Sequence, residues 1–250
     1  MLYSRTLRKA MNRKSLLARL WSNEEIRRLG AHFEGEIVSV SGAKDADKEG
    51  GRYRDYFPGA TAYHITNYPK EGWGHFQGAS DEISLDLTAP LPEALRQRYD
   101  VVFNHTTLEH IYEVGTAFAN LCAMSRDIVL VVVPFLQEMH CPSEGGDYWR
   151  FTPLTLKRMF EDNGFSLLQC TFNSHSNAAV YLCAVGSRQP ERWPALQTEF
   201  SYADPRRCPD QGLNLVGCHA LREPFSYCRS LFRAARRRLL GGGGAATDAG

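Results

Sequence analysis

His140 closes the stretch Val133-Pro-Phe-Leu-Gln-Glu-Met-His140, and Asp147-Tyr148-Trp149-Arg150 follows it. A neutral histidine can take a proton from a hydroxyl near neutral pH, so His140 is expected as a general base. An acid and a guanidinium can fix hydroxyls through charge-assisted hydrogen bonds, and an exposed ring can stack on a sugar face. Asp147, Tyr148 and Arg150 are therefore expected to contact substrate, while Trp149 and Phe151 are expected to pack beneath a sheet. Glu109 and His110, in Thr107-Leu108-Glu109-His110-Ile111, are expected to orient the same pocket, with Leu108 and Ile111 as packing. The alternative for His140 is a loop residue that only shapes the pocket; for the Asp147–Arg150 cluster it is a structural plug in which Asp147 bonds Arg150 or backbone; and His110 is either a second base or a satisfied structural histidine.

Loops that carry such residues need a rigid frame. Glu36–Val40, Thr61–Thr66, Glu82–Leu87 and Asp100–Asn104 read as strands, and Asp127–Val133 is almost uninterrupted apolar residues. A run that apolar suits a central parallel strand covered on both faces. Pro92–Gln97, Glu113–Ser125 and Pro153–Asn163 read as helices, the last opened by proline and closed by Gly164. Phe165–Phe172 and Ala178–Gly186 read as two consecutive strands joined by a polar turn. Strands alternating with helices predict a doubly wound, mostly parallel α/β sheet, and the closing pair predicts an antiparallel last strand. Ahead of this frame, Ser22 and Glu25 have capping-box spacing and predict a helix starting there and running to about His32, after a basic amphipathic helix over 3–20.

Tyr99-Asp-Val-Val-Phe-Asn-His-Thr-Thr-Leu-Glu-His-Ile111, Val133-Pro-Phe, His140, Asp147-Tyr-Trp-Arg-Phe-Thr-Pro153 and Gly164-Phe165 occur in fixed order. This block resembles class I S-adenosylmethionine (SAM)-dependent methyltransferases. Within them it is similar to a subgroup, with a PF…H…DYWRFTP segment, often associated with bacterial glycan and polysaccharide biosynthesis. The resemblance covers about residues 35–187. It implies a Rossmann-like fold with a seven-stranded, mostly parallel sheet, an antiparallel last strand and helices on both faces. It also implies SAM as cofactor, with Ser39, Ser41, Gly42, Ala43, Thr66, Asp86, Leu87, Asn104 and His105 on the donor side.

The donor side departs from the family pattern. After the first strand the family reads roughly E/D-x-G-x-G-x-G; here Ser39 stands at the acid, Ser41 and Ala43 at glycines, and Gly42 is out of register. The second strand ends Ile65-Thr66-Asn67, without the acid that holds both ribose hydroxyls, whereas Asp86 keeps the acid that reads the adenine amino group. A carboxylate forms hydrogen bonds about twice as strong as those of a neutral acceptor.

The formal net charge of +1 excludes a polycation that seeks nucleic acid. Arginines cluster in the first thirty residues and over Phe225–Leu240, which suits an anionic membrane surface or a protein contact, a dimer included. The expected organisation is 1–34 as basic helices, 35–187 as the α/β domain, and 188–250 as an extension with a second basic helix and a glycine-rich tail. The 7 scattered cysteines form no CxxC pair and read as free thiols in a reducing cytosol, with the inner membrane face as a peripheral location. His140, Cys141, Cys208, Cys218 and His219 match no zinc spacing, so no metal is expected. The glycine-rich 72–78 segment lacks the lysine of a phosphate loop and reads as a lid. Two readings remain: an O-methyltransferase acting on a glycan or small-molecule hydroxyl, or an inactive methyltransferase-like module serving as a partner or scaffold in glycan biosynthesis.

Overall fold

The computed structural model describes residues 18–69, 82–137, 139–140, 146–172 and 180–197. The expected lid at 72–78, the polar turn before residue 180, and the extension beyond 197 lie outside these residues. Seven strands are present: β1 (Glu34–Val40), β2 (Gly59–Asn67), β3 (Glu82–Ser84), β4 (Tyr99–His105), β5 (Ser125–Pro134), β6 (Ser166–Phe172) and β7 (Tyr181–Ser187). They form one sheet in the order β3-β2-β1-β4-β5-β7-β6. Neighbours from β3 to β5 pair in parallel, and β7 runs antiparallel to both β5 and β6. This is the Rossmann-like, mostly parallel arrangement with an antiparallel last strand that the sequence predicts. Strand order reverses between β1 and β4, and in open α/β sheets that reversal opens a crevice at the carboxyl ends.

The centre of the sheet is dry on both faces. In β5, every residue from Ile128 to Val133 is buried. Val129, Val131 and Val133 point into one core cluster, and Ile128, Leu130 and Val132 into the other, as period-2 alternation requires. The first face is covered by α2 (Val114–Met124) and α3 (Pro153–Asp162), which bury Phe118, Leu121, Leu156 and Phe160. Thr152 caps α3 by accepting from Thr155 N at 3.1 Å, Pro153 occupies its first turn, and Gly164 closes it at φ +75°.

The second face is covered by helix α1, helical over 18–30 among the described residues, which buries Ala18, Ile26 and Leu29. No cap forms at Ser22. It lies inside α1, where its hydroxyl donates back to Arg19 O at 2.9 Å, because helical geometry already extends upstream of it. Glu25 instead pairs with Arg28 at 2.9 Å. Residues 41–58 connect β1 to β2 with only a short 3-10 turn, Tyr53–Tyr56, and no α-helix. Tyr53, Tyr56 and Phe57 fill the space beside α1 that a crossover helix would take. Residues after β7 are tied down by buried Asp127, which accepts from Ser187 Oγ at 2.5 Å, Gln189 N at 3.1 Å and Trp193 Nε1 at 2.9 Å.

Candidate functional site

The carboxyl ends of β4 and β5 bring five of the expected residues together. Glu109 and His110 lie in the 3-10 turn Leu108–His110 just after β4. Residues 146–151 fold back onto this turn: Tyr148 N and Trp149 N donate to Glu109 O at 2.8 and 3.3 Å, and Phe151 N donates to Pro134 O at 2.9 Å. Asp147 is thereby placed under His140. Its carboxylate accepts from His140 N at 2.6 Å, and Oδ2 lies 3.3 Å from His140 Nδ1. Arg150 grips the same carboxylate with both terminal nitrogens, at 2.6 and 2.7 Å, and is itself braced by Nε donating to Gln137 O at 2.9 Å. Burial alone would raise the Asp147 pKa, but the Arg150 and His140 hydrogen bonds outweigh it and hold it at about 2. Asp147 Oδ2 thus faces Nδ1 of the His140 ring.

Glu109 is fully buried, and neither carboxylate oxygen has a hydrogen-bond partner among the described residues. Burial, reinforced by Asp147 and opposed by Arg150, pushes its pKa up to about 8. His110 Nε2 lies 3.8 Å from Glu109 Oε1. Its Nδ1 is 2.7 Å from Gly146 O, and since a carbonyl only accepts, Nδ1 carries the proton and Nε2 the lone pair. Burial lowers the His110 pKa. The His110 and His140 rings meet edge to face at 5.2 Å.

Tyr148 stands outside this cluster, 53% exposed, and Trp149 is 37% exposed. Trp149 therefore does not pack beneath the sheet: its indole N–H donates to Ile111 O at 2.9 Å, which holds the ring at the surface beside Tyr112. Phe151 is buried, as expected. Tyr112, 66% exposed, meets Tyr148 at 5.4 Å and Trp149 at 6.3 Å, so three aromatic rings adjoin the polar cluster. The sequence reading missed Tyr112 and Gly146. The second had a signal in the Gly145-Gly146 pair before Asp147: a Cβ at Gly146 would fall 1.9 Å from the Tyr148 ring.

The donor side is built differently. Ser41 and Ala43 hold left-handed backbone, at φ 56° and 49°, a conformation that glycine adopts without strain. Gly42 is confined too, since a Cβ there would come 2.6 Å from Ser39 Oγ, and Ser39 is buried. All three amides of this turn are committed to the end of β2. Ser41 N donates to Thr66 Oγ1 at 3.2 Å, Gly42 N to Thr66 O at 3.1 Å, and Ala43 N to Asn67 Oδ1 at 2.8 Å. Asn104 Nδ2 donates to Val40 O at 2.9 Å across the β1–β4 crevice, and its fully buried Oδ1 is left without a partner among the described residues. Asp86 turns one oxygen to its own turn, accepting from Thr88 N at 2.8 Å and Thr88 Oγ1 at 2.7 Å. Leu87 lies in the core, its carbonyl accepting from Asn120 at 2.8 Å.

His105 is reached by two α1 residues that the sequence reading did not place here. Arg19 can only donate, so His105 Nδ1 accepts from it, and Nε2–H donates to Ser22 Oγ at 3.0 Å. Arg19 also donates to Tyr53 Oη at 3.2 Å and Thr106 Oγ1 at 3.1 Å. Burial first, then Arg19 and Lys48, holds the His105 pKa well below the ordinary histidine value. No helix among the described residues is long and apolar enough to cross a membrane.

No family model matches the chain, and no curated protein matches it. Solved structures do. The chain is similar to magnesium protoporphyrin IX methyltransferase from Synechocystis PCC 6803 with bound SAM, at 13% identity and a TM-score of 0.42, over 70% of this chain and 77% of that one. It is similar to Burkholderia thailandensis 1,6-didemethyltoxoflavin-N1-methyltransferase with bound 1,6-didemethyltoxoflavin and S-adenosylhomocysteine, at 16% identity and a TM-score of 0.43, over 74% and 88%. It is also similar to a putative methyltransferase from Bacillus halodurans C-125, at 11% identity and a TM-score of 0.47, over 66% and 98%.

Proposed function

We propose that the protein is a SAM-dependent methyltransferase that O-methylates a sugar or related small-molecule hydroxyl. The observation that carries this reading is the Asp147-backed His140 at the carboxyl end of β5, beside a switch-point crevice. His140 Nε2 accepts the hydroxyl proton while Asp147, clamped by Arg150, holds the ring and stabilises the imidazolium. The exposed Tyr112, Tyr148 and Trp149 rings are the platform for a sugar face. SAM supplies an electrophilic methyl group when bound. Of this chain's residues, Asn104 Oδ1 is the unsatisfied buried acceptor suited to the methionine ammonium, and Ser41 and Ala43, at φ 56° and 49°, hold a conformation that suits the glycines of the family pattern. With no acid at the end of β2, the ribose is held less strongly than in the family pattern.

A second reading, an inactive module that binds a glycan-assembly partner, is favoured by the three turn amides already spent on Thr66 and Asn67. Transfer of a labelled methyl group from SAM to glycan extracts separates the two. On the enzyme reading, His140→Ala leaves SAM affinity unchanged and lowers methyl transfer about 10²- to 10⁴-fold, the usual contribution of a positioned base. Wild-type protein that neither binds SAM nor labels an acceptor favours the module.

A further inference from the structure

Glu109, His110 and His140 place one ligand atom each within 4.8 Å of the other two. We infer that these three side chains form a binding site for a first-row divalent transition-metal ion, of the Zn²⁺, Co²⁺, Fe²⁺ or Mn²⁺ class.

Four features carry the inference. First, Glu109 is fully buried with both carboxylate oxygens unpartnered among the described residues, although a buried polar group is costly unless it finds a partner. Its neighbours are two imidazoles, which supply neutral nitrogen rather than hydrogen-bond donors in fixed positions. A cation satisfies all three groups at once.

Second, each imidazole is set by a group behind it, as metal-binding histidines are. His110 Nδ1–H donates to Gly146 O at 2.7 Å, and His140 Nδ1 faces Asp147 Oδ2 at 3.3 Å. Nε2 is then the ligating nitrogen of both rings.

Third, the charge fits. Arg150 neutralises Asp147 through its bidentate contact, so Glu109, which gives up its proton when an ion binds, is the carboxyl group of the cluster left for a cation.

Fourth, the size fits. Metal–ligand bonds of about 2.0–2.2 Å set donor atoms roughly 3.4 Å apart. The observed upper spacing of 4.8 Å exceeds this by roughly 1.4 Å, so binding draws the three side chains together. Two nitrogens and a carboxylate favour a transition metal over Mg²⁺ or Ca²⁺, and three protein ligands leave positions open for oxygens of a second molecule.

A bound ion and an acceptor proton compete for the same His140 Nε2 lone pair, so the base role given to His140 under the methyltransferase reading belongs to the metal-free protein. The site itself does not rest on that reading, because metal binding needs no methyl donor.

The test uses the full chain, stripped with a chelator and titrated with Co²⁺, followed by calorimetry and visible absorption. The expected result is one Co²⁺ per chain with an absorption of mixed nitrogen and oxygen ligation, and a melting temperature raised by the ion. Glu109→Gln, His110→Ala and His140→Ala abolish saturable binding, Asp147→Asn weakens it about 10- to 100-fold, and His32→Ala, in the turn between α1 and β1, leaves it unchanged. Glu109→Gln is also measured without metal. Relief of an unpaired buried carboxylate keeps its melting temperature equal to or above the wild-type value, which separates loss of the site from loss of the fold. Absence of saturable binding overturns the inference. So does binding that survives Glu109→Gln and His110→Ala, or that shows thiolate-to-cobalt absorption. Failure of SAM to bind leaves all of these readouts in place, so the two claims fail separately.

Discussion

Asp147→Asn tests whether the polar cluster is built around one carboxylate. The substitution keeps the side chain's shape and removes its charge. In the native protein the carboxylate accepts two hydrogen bonds from Arg150 at 2.6 and 2.7 Å and one from His140 N at 2.6 Å. An asparagine accepts at one atom only and turns an N–H₂ toward remaining donors. Hydrogen bonds to charged groups are each worth about 1.5–3 kcal/mol, and breaking a fully buried pair costs about 3–5 kcal/mol. The Asp147 side chain is fully buried, but that of Arg150 is 25% exposed, and it keeps Gln137 O and Trp149 O as acceptors. Water and these carbonyls recover part of the loss, which brings the expected cost to about 2–3 kcal/mol. Urea unfolding should show a lower midpoint at unchanged slope. Thermal unfolding should fall by roughly 4–12 °C, at about 2–4 °C per kcal/mol for a chain of this size. A double-mutant cycle with Arg150→Gln should return a coupling of about 1–3 kcal/mol. A change below about 0.5 kcal/mol, or no coupling to Arg150, would refute the reasoning, since it would place Asp147 among ordinary surface acids.

Gly186→Ala would drive a Cβ to 2.3 Å from Phe160 Cδ1, and Phe160 is itself held against Phe118 at 5.0 Å; calorimetric unfolding should show a loss of about 1–3 kcal/mol, typical of overpacking. The depressed pKa of His105 means that the unfolded chain binds more protons than the folded one below about pH 6.5, so stability is full above that pH and drains as pH falls toward the folded pKa. His105→Gln should flatten that acid limb in urea titrations run at successive pH values. Trp149→Ala should raise KM for a sugar acceptor about 2- to 12-fold, the equivalent of roughly 0.5–1.5 kcal/mol of ring stacking, with SAM affinity unchanged in a direct titration.

Much of the frame was legible in the chain itself. The run at 127–133 suits a strand dry on both faces, and the paired strands at the end suit an antiparallel closure, both of which the sheet contains. Pro153 and Gly164 marked α3 because proline and glycine constrain backbone dihedrals directly. What failed to show was tertiary. Ser22 and Glu25 have the spacing of a cap, yet the helix begins upstream and turns Ser22 toward His105. Trp149 reads as a core residue by type, but Ile111 O draws its indole N–H outward. The burial of Glu109 depends on residues 146–151 returning over the turn after β4, and no local pattern encodes that return. Arg19 lies far from His105 in the chain, so its contact with the end of β4 has no short-range signal.

The central claim is that the crevice between β1 and β4 holds a methyl donor despite the altered turn at 41–43. Calorimetric titration of the full chain with SAM and with S-adenosylhomocysteine tests it most directly. The account predicts saturable one-to-one binding of both, weakened by Asn104→Leu and unchanged by His140→Ala. No heat and no thermal shift with either ligand at millimolar concentration would contradict it.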